Sequence, residues 1–416
     1  MARTQAPEDH RLAVHQGNAL WLADQPGAAW RCFQDALVLA PSCPRTLRGA
    51  AQVLRDLNRF EEAEGLHARS DLAADPEPAL ARWAHSQVLL GLERYRDGFA
   101  LAEGRPAHQA QPAPLPDPLA PGALSLQSEQ GIGDTLQFLR WLPELIGRRL
   151  RAGHGEPVTL VVPPPLVHLL REGLAWLESP PQVLPKTQQW LNSEASSGVS
   201  SVLSLPHALG GAPLAAAVPY LRSPLWAGAG ASLLPQPASG LMGPKVGLVW
   251  EAGRKLQHPF TAREYRKRSL PVDGLARLAE ELIRQGASLV PLQWGGEAEL
   301  LDALAVPHLK PRLSVGEFTV TARLVQALDL VISVDTAMAH LVGGMGCPGW
   351  VLLPCSADPR WLRDRQDSPW YPSLRLFRQH RPGDWHSAVS DLLAAFAQGL
   401  PPRRDSGSGS ATESTG

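Results

Sequence analysis

The sequence predicts a chain of two parts, an α-helical array followed by two α/β lobes of Rossmann-like pattern. Three observations carry this. Apolar helical stretches recur at a fixed period over the first hundred residues, and a proline-dense run interrupts the chain at 104–123. Beyond it, short apolar runs alternate with amphipathic stretches in two successive series. At 416 residues and 44% hydrophobic composition the chain can build two or three cores, since a single core stops growing at roughly 250 residues.

The array, residues 1–103, rests on its period. Pro26, Phe60 and Tyr95 occupy equivalent places, 34 and then 35 positions apart. Each follows an apolar helical stretch (Ala19–Leu22, Ala50–Leu57, Ala84–Leu92) and precedes another, with stops near Pro41 and Pro76. This resembles the tetratricopeptide repeat, in which a small residue after the turn lets two helices pack closely. Gly98 stands where that repeat carries Ala, and the second repeat has an extra residue. So short an array is expected to lean on the next domain. The connector 104–123 (GRPAHQAQPAPLPDPLAPGA) is too rich in proline for helix or central strand and is expected to be extended.

In the first lobe, 124–240, LSLQ (124–127), VTLVV (158–162) and SVLSL (201–205) read as buried parallel strands, with helices over 134–150 and 165–177 between them. A Pro/Gly-rich stretch near 222–244 leads into the second lobe, 241–400. There KVGLVW (245–250), ASLVPLQ (287–293), LDLVISV (328–334) and GWVLLP (349–354) repeat the pattern. The tail, 401–416, has the composition of a disordered segment. Ligands of such sheets bind at the carboxyl ends of the strands.

Composition narrows the partners. Thirty-nine basic residues against 40 acidic ones leave no field to draw in nucleic acid or an anionic membrane. The N-terminal MARTQAPEDHRLAVHQ has no apolar h-region, and no stretch approaches the ~20 apolar residues of a membrane span. A cytoplasmic protein without an integral membrane segment is expected. Cys32, Cys43, Cys347 and Cys355 form no CxxC pair, which argues for buried or incidental thiols rather than a metal cluster and leaves a reactive thiol as the lesser alternative.

Two strand-end loops carry candidate chemistry. After LSLQ comes Ser128-Glu129-Gln130-Gly131-Ile132-Gly133-Asp134-Thr135, whose glycines allow a tight turn beside a ligand. A dinucleotide fingerprint needs glycine at 136, and Leu136 stands there, which argues against an NAD site. Asp134 reads as a helix cap or as a functional carboxylate. After LDLVISV, Ser333-Val334-Asp335-Thr336 opens a helix containing His340, Gly343 and Gly344, and its amides would suit a phosphate. Asp335 would repel a phosphate, so it is read either as a cap or as an acceptor for sugar or ribose hydroxyls. His340 is read either as packed and neutral or as a ligand contact. The basic run Arg263, Arg266, Lys267 and Arg268 could neutralise a diphosphate or form a solvated surface. Gln293 and Trp250 sit at strand ends where cleft residues belong, although Trp250 could equally be core.

Taken in order, EQGIGDTLQF, VGLVW, RSLP, PLQWGG, LDLVISVDTAMAHL and DSPWYPSLRLFRQ resemble bacterial tetratricopeptide proteins carrying a heptosyltransferase-type domain of glycosyltransferase family 9. That domain is akin to the catalytic lobes of the protein O-GlcNAc transferases. The resemblance spans about residues 15–100 and 124–398. It implies a GT-B fold with an N-terminal acceptor lobe and a C-terminal nucleotide-sugar lobe, inverting transfer, and neither cofactor nor metal. Asp134 falls on the family's general base, within an acceptor-side loop of Glu129, Gln130, Gly131 and Gly133. Arg268, Gln293, Ser333, Asp335, Thr336 and His340 fall on the donor side. The stretch 251–262 (EAGRKLQHPFTA) departs from the family's small-residue loop. The implied partners are a nucleotide-sugar donor and a protein or glycan acceptor met through the array. A non-catalytic binding module on the same scaffold is the alternative.

Overall fold

A computed structural model of the chain describes residues 9–106, 117–191, 199–211, 218–235, 243–295, 299–312 and 316–401. Residues 107–116 of the connector and the tail from 402 onward lie outside the described residues.

Six helices form three hairpins: α1 (His10–Leu22) with α2 (Pro26–Leu39), α3 (Pro44–Asp56) with α4 (Phe60–Ala68), and α5 (Pro78–Gly91) with α6 (Tyr95–Ala102). Proline opens α2, α3 and α5, where its missing N–H would have had no helical partner. Each hairpin turns through one residue of left-handed backbone, Asp24, Asn58 and Glu93, spaced by 34 and 35 positions. The structural repeat thus has the period visible in the sequence. Phe33, Leu47, Ala50, Phe60 and Ala63 are buried at the centre of the array.

The first lobe is a parallel sheet of order β3-β2-β1-β4, built from β1 (Leu124–Gln127), β2 (Val158–Val162), β3 (Gln182–Pro185) and β4 (Ser200–Ser201). Two expectations need correction here. The predicted strand at 201–205 ends after Ser201, whose hydroxyl accepts from the Leu203 amide at 3.1 Å and turns the chain into a 3₁₀ turn and the short helix α10 (Leu205–Leu209). The predicted helix over 134–150 is two, α7 (Ile132–Phe138) and α8 (Leu142–Arg151), separated by a 3₁₀ turn just ahead of Pro143. A further helix, α9 (Val167–Gly173), follows β2.

The second lobe is also wholly parallel, of order β6-β5-β7-β8-β9, with β5 (Lys245–Val249), β6 (Ser288–Pro291), β7 (Leu330–Val334), β8 (Gly349–Leu353) and β9 (Leu374–Arg378). Between the strands run α11 (Pro259–Arg268), α12 (Val272–Arg284), α13 (Phe318–Gln326) and α14 (Ala337–Gly344), with α15 (Trp385–Ala397) after β9. One apolar core runs from the first lobe to the facing side of the second and takes in Phe99 of α6. A second core lies between the outer face of the β5–β9 sheet and α12 and α15. Trp250 belongs to this second core, at 1% exposure.

The array is docked on both lobes. Arg263 of α11 donates to Asp56 at 2.7 Å and to Asp24 at 2.8 Å, with its guanidinium 4.6 Å from the Trp21 ring. Burial works against the charged form of Asp56, but the charges of Lys267, Arg55 and Arg263 outweigh it and hold the carboxyl below the usual range. On the other side, Arg105 donates to both carboxylate oxygens of Glu129 at 2.7 Å. Of the basic run, Arg263 therefore serves the array.

Within the array, His67 stacks on His85 with ring centroids 4.6 Å apart, and its Nε2 is buried without a hydrogen-bond partner. Burial, assisted by the neighbouring His85, lowers its pKa from 6.5 to about 3. Between those two values the unfolded chain binds more protons than the folded one, so stability falls as the pH drops through that window. We expect this residue to cost about 2 to 3 kcal/mol between pH 6.5 and 4.5. Denaturation at the two pH values should show His67→Leu losing less stability on acidification than the parent chain; an equal loss would refute the assignment.

Candidate functional site

The two loops singled out from sequence meet where the lobes touch. The first leaves β1 through Gln130, which holds left-handed backbone at φ 61°, and enters α7 with Gly131 at its N-cap. Asp134 is therefore not the capping residue; it lies at the third helical position and reaches back to accept the Gly131 amide at 3.0 Å. Its other oxygen accepts from Arg360 at 2.8 Å. Glu129, next to the turn, is committed to Arg105, and Lys186 donates to the Ser128 carbonyl at 2.7 Å. The loop is thus pinned on both sides.

The second loop leaves β7. Thr336 caps α14, its hydroxyl accepting from the Met338 amide at 3.2 Å, and Ser333 lies 3.1 Å from it, hydroxyl to hydroxyl. Asp335 does not cap. It is buried, and Arg268 donates to its carbonyl at 3.3 Å and stands 3.8 Å from its carboxylate. Burial pushes the Asp335 carboxyl up, against the pull of Arg268 and Arg360. His340 is buried too, bonded through Nδ1 to the Tyr371 hydroxyl at 2.9 Å, and burial together with the Arg360 charge pushes its pKa well below the ordinary value. A neutral imidazole in a packed position results.

Gln293 is engaged with the neighbouring strand end, its side-chain Oε1 accepting from the Trp250 and Glu251 amides at 3.2 and 3.1 Å. Gly343 and Gly344, in the last turn of α14, lie against the rings of Tyr371 and Tyr220. Their lack of a side chain serves close packing.

Several site residues escaped the sequence reading. Asp358 caps a 3₁₀ turn, Pro359–Trp361, accepting from the Arg360 amide at 3.0 Å and from Arg360 Nε at 2.8 Å. The guanidinium then crosses to the first lobe, where it holds Asp134 and, at 2.6 Å, the side-chain Oε1 of Gln137. Burial opposes the charge of Arg360, but Asp358 and Asp134 outweigh it and push its pKa well above the ordinary value. An Asp-Pro-Arg run is a local turn signal that could have been noticed; its reach to residue 134 could not.

Above Asp134 opens a narrow cavity of about 40 Å³. Three bodies wall it: Trp83, Leu90 and Phe99 of the array, Phe138 and Leu203 of the first lobe, and Trp370 of the second. Polar groups gather at Asp134, Gln137, Asp358 and Arg360. The site can therefore present a carboxylate to a hydroxyl group inside a mostly apolar enclosure. Among the described residues no group of three or more His, Cys, Asp or Glu side chains gathers in a way that could hold a metal ion, and no helix is long and apolar enough to cross a membrane.

No protein-family model matches the chain. Protein FlbA of Caulobacter vibrioides is 26% identical over 405 residues, an alignment covering 88% of this chain and 63% of that protein. The chain thus spans under two thirds of that relative's length. Solved structures that resemble it include an ADP-heptose heptosyltransferase II of E. coli, at TM-score 0.42 and 13% identity over 67% of this chain and 99% of that one. A glycosyl transferase family 9 protein of Veillonella parvula gives TM-score 0.42 and 11% identity over 68% and 91%. An O-GlcNAc transferase of Thermobaculum terrenum gives TM-score 0.30 and 14% identity over 95% and 86%. Superpositions this loose transfer nothing from those proteins to this one.

Gly133 sets the approach of the two loops. A methyl group built on it would lie 2.9 Å from His340 Cδ2 and 3.5 Å from Ala337 Cα. Gly133→Ala should therefore destabilise the protein by roughly 1 to 3 kcal/mol through overpacking. Adding it to a His340→Ala chain should cost clearly less, measured as denaturation midpoints of the four chains. Additive losses would mean that this contact does not set the approach.

Proposed function

We propose that the chain is a glycosyltransferase that moves a sugar from a nucleotide-sugar donor to a hydroxyl of a glycan, lipid or protein acceptor, by inverting displacement without metal or cofactor. The observation that carries this reading is the meeting of the Asp134 loop and the Asp335–Thr336 loop across one lobe junction, with Gly133 against α14 and Arg360 bridging between them. A binding module with no chemistry to perform has no need of a carboxylate so placed. The order of sequence motifs supports the same class.

In this reading the acceptor enters the cavity beside the array, whose repeats are tetratricopeptide-like, and its hydroxyl reaches Asp134. Asp134 takes the proton as that oxygen attacks the anomeric carbon from the face opposite the leaving diphosphate, which inverts the configuration. The positive dipole end of α14, with Arg268, stabilises charge growing on the leaving group. Ser333, Thr336 and Asp335 shape the donor side, and Gln293 and His340 act by holding neighbouring backbone and α14 in place. A cytoplasmic location fits the use of a nucleotide-sugar donor.

The competing reading, a non-catalytic module, gains from the burial of Asp335 and His340. Thermal-shift measurements against a panel of nucleotide sugars, ADP-heptose and UDP-GlcNAc included, separate the two in part. A donor at 100 times its Kd should add about 2.7 kcal/mol of stability, and no shift with any donor would sink the proposal. With a donor found, Asp134→Asn should keep the shift while losing about 10²- to 10⁴-fold in kcat. Unchanged turnover would remove Asp134 from the mechanism, and donor binding without turnover in the parent chain would favour the binding module.

A further inference from the structure

Arg360 is the cation at the centre of the lobe junction. It originates in the second lobe, where Asp358 holds it through both its backbone amide and its Nε. Its two terminal nitrogens end in the first lobe, Nη2 on Asp134 Oδ1 at 2.8 Å and Nη1 on Gln137 Oε1 at 2.6 Å. Asp134 and Gln137 lie three positions apart on α7 and therefore share a face, so one planar guanidinium spans both. The remaining Asp134 oxygen is fixed by the Gly131 amide. Both oxygens are thus oriented, one by its own lobe and one by the opposite lobe.

We propose that Arg360 is a positioning residue that makes the alignment of Asp134 conditional on contact between the lobes. The arginine cannot reach Asp134 when the lobes part, because Asp358 and the 3₁₀ turn tether it to the second. With the lobes together, the carboxylate is locked to a single orientation, with one lone pair of each oxygen left for an acceptor proton. Asp358 keeps the arginine extended when Asp134 is absent from its reach. This inference rests on the glycosyltransferase reading for its catalytic consequence, but the positioning itself can be measured without turnover.

Two measurements test it. Amide exchange of the full-length chain reads the positioning: Arg360→Ala should speed exchange across 131–138, at least tenfold at Gly131, while exchange in β7 and β8 stays as in the parent. Unchanged exchange at 131–138 would overturn the proposal, and a general increase through both sheets would reduce Arg360 to a folding residue. Steady-state kinetics with the donor from the panel read the consequence. Displacing an aligned base typically costs about 10²-fold, so kcat should fall by that order in Arg360→Ala while donor Kd, measured by calorimetry, moves less than about threefold. Guanidinium ion added at millimolar levels should restore part of kcat in Arg360→Ala and none in Asp134→Asn. In an Asp134→Asn background, Arg360→Ala should have little further effect on kcat. A weakened donor Kd with kcat preserved would make Arg360 a donor clamp and refute the positioning role. If no donor is turned over by the parent chain, the glycosyltransferase reading fails, and the exchange result still decides the positioning claim.

Discussion

Three bodies meet in this chain, and each junction is closed by a guanidinium, buried at Arg105 and Arg263 and partly buried at Arg360. Arg105, just past the array's last helix, ties that end of the array to the glycine loop of the first lobe, Arg263 ties the array to the second, and Arg360 ties the two lobes to each other. Arg140 adds a second tie between the lobes, its side chain donating to the Trp370 carbonyl and lying about 5 Å from the Trp370 and Tyr371 rings. Removing such a cation from water is costly, and the cost is met only by several well-placed acceptors or aromatic faces. Arginine suits this because its planar, permanently charged fork can hold two carboxylate oxygens at once. Lysine at Arg105 could not reproduce the paired contact with Glu129.

The consequence is that the array is part of the site's architecture. Its last hairpin supplies Trp83, Leu90 and Phe99 to the cavity above Asp134, and Phe99 is continuous with the core of the lobes. Two anchors about 160 residues apart in sequence, Arg105 and Arg263, fix the array against both lobes. Relative motion of the lobes must then either carry the array along with one of them or break one buried ion pair. A marginal three-hairpin array gains stability from the same contacts, since its exposed end would otherwise have to stand alone.

Much of this organisation is legible in the residues, and the limits are instructive. Pro26, Phe60 and Tyr95 open the second helix of each hairpin because small and apolar residues recur there with the spacing of one helix pair. Six of the seven strands read from sequence are present, because buried parallel strands are runs of Val, Leu and Ile. The edge strands β3 and β9 carry a weaker signal: QVLP is only half apolar, and the alternating arginines of LRLFR resemble a surface segment. SVLSL failed for the opposite reason. Its composition is strand-like, but the Ser201 hydroxyl offers the backbone an alternative partner and a turn wins. For the site, the loops bearing Asp134 and Asp335 were found from their place after strands, whereas the division of labour between Asp335 and Thr336 was not. Both residue types cap helices, and only the backbone geometry decides which does.

Arg360 marks the deeper limit. Nothing near it in the chain needs Asp134, which lies 226 positions away, and its local partner Asp358 already satisfies one side of it. A turn-forming Asp-Pro-Arg would be unremarkable on any surface. Its meaning comes from topology: β8 lies beside β7, so the turn that follows β8 hangs over the junction where the loop after β7 meets the loop after β1. Strand order therefore decides which arginine can bridge the lobes. The same argument explains why Asp335 and Asp134, alike in sequence context, differ in surroundings. Asp335 is buried with Arg268 3.8 Å from its carboxylate, while Asp134 lines the cavity from the opposite lobe.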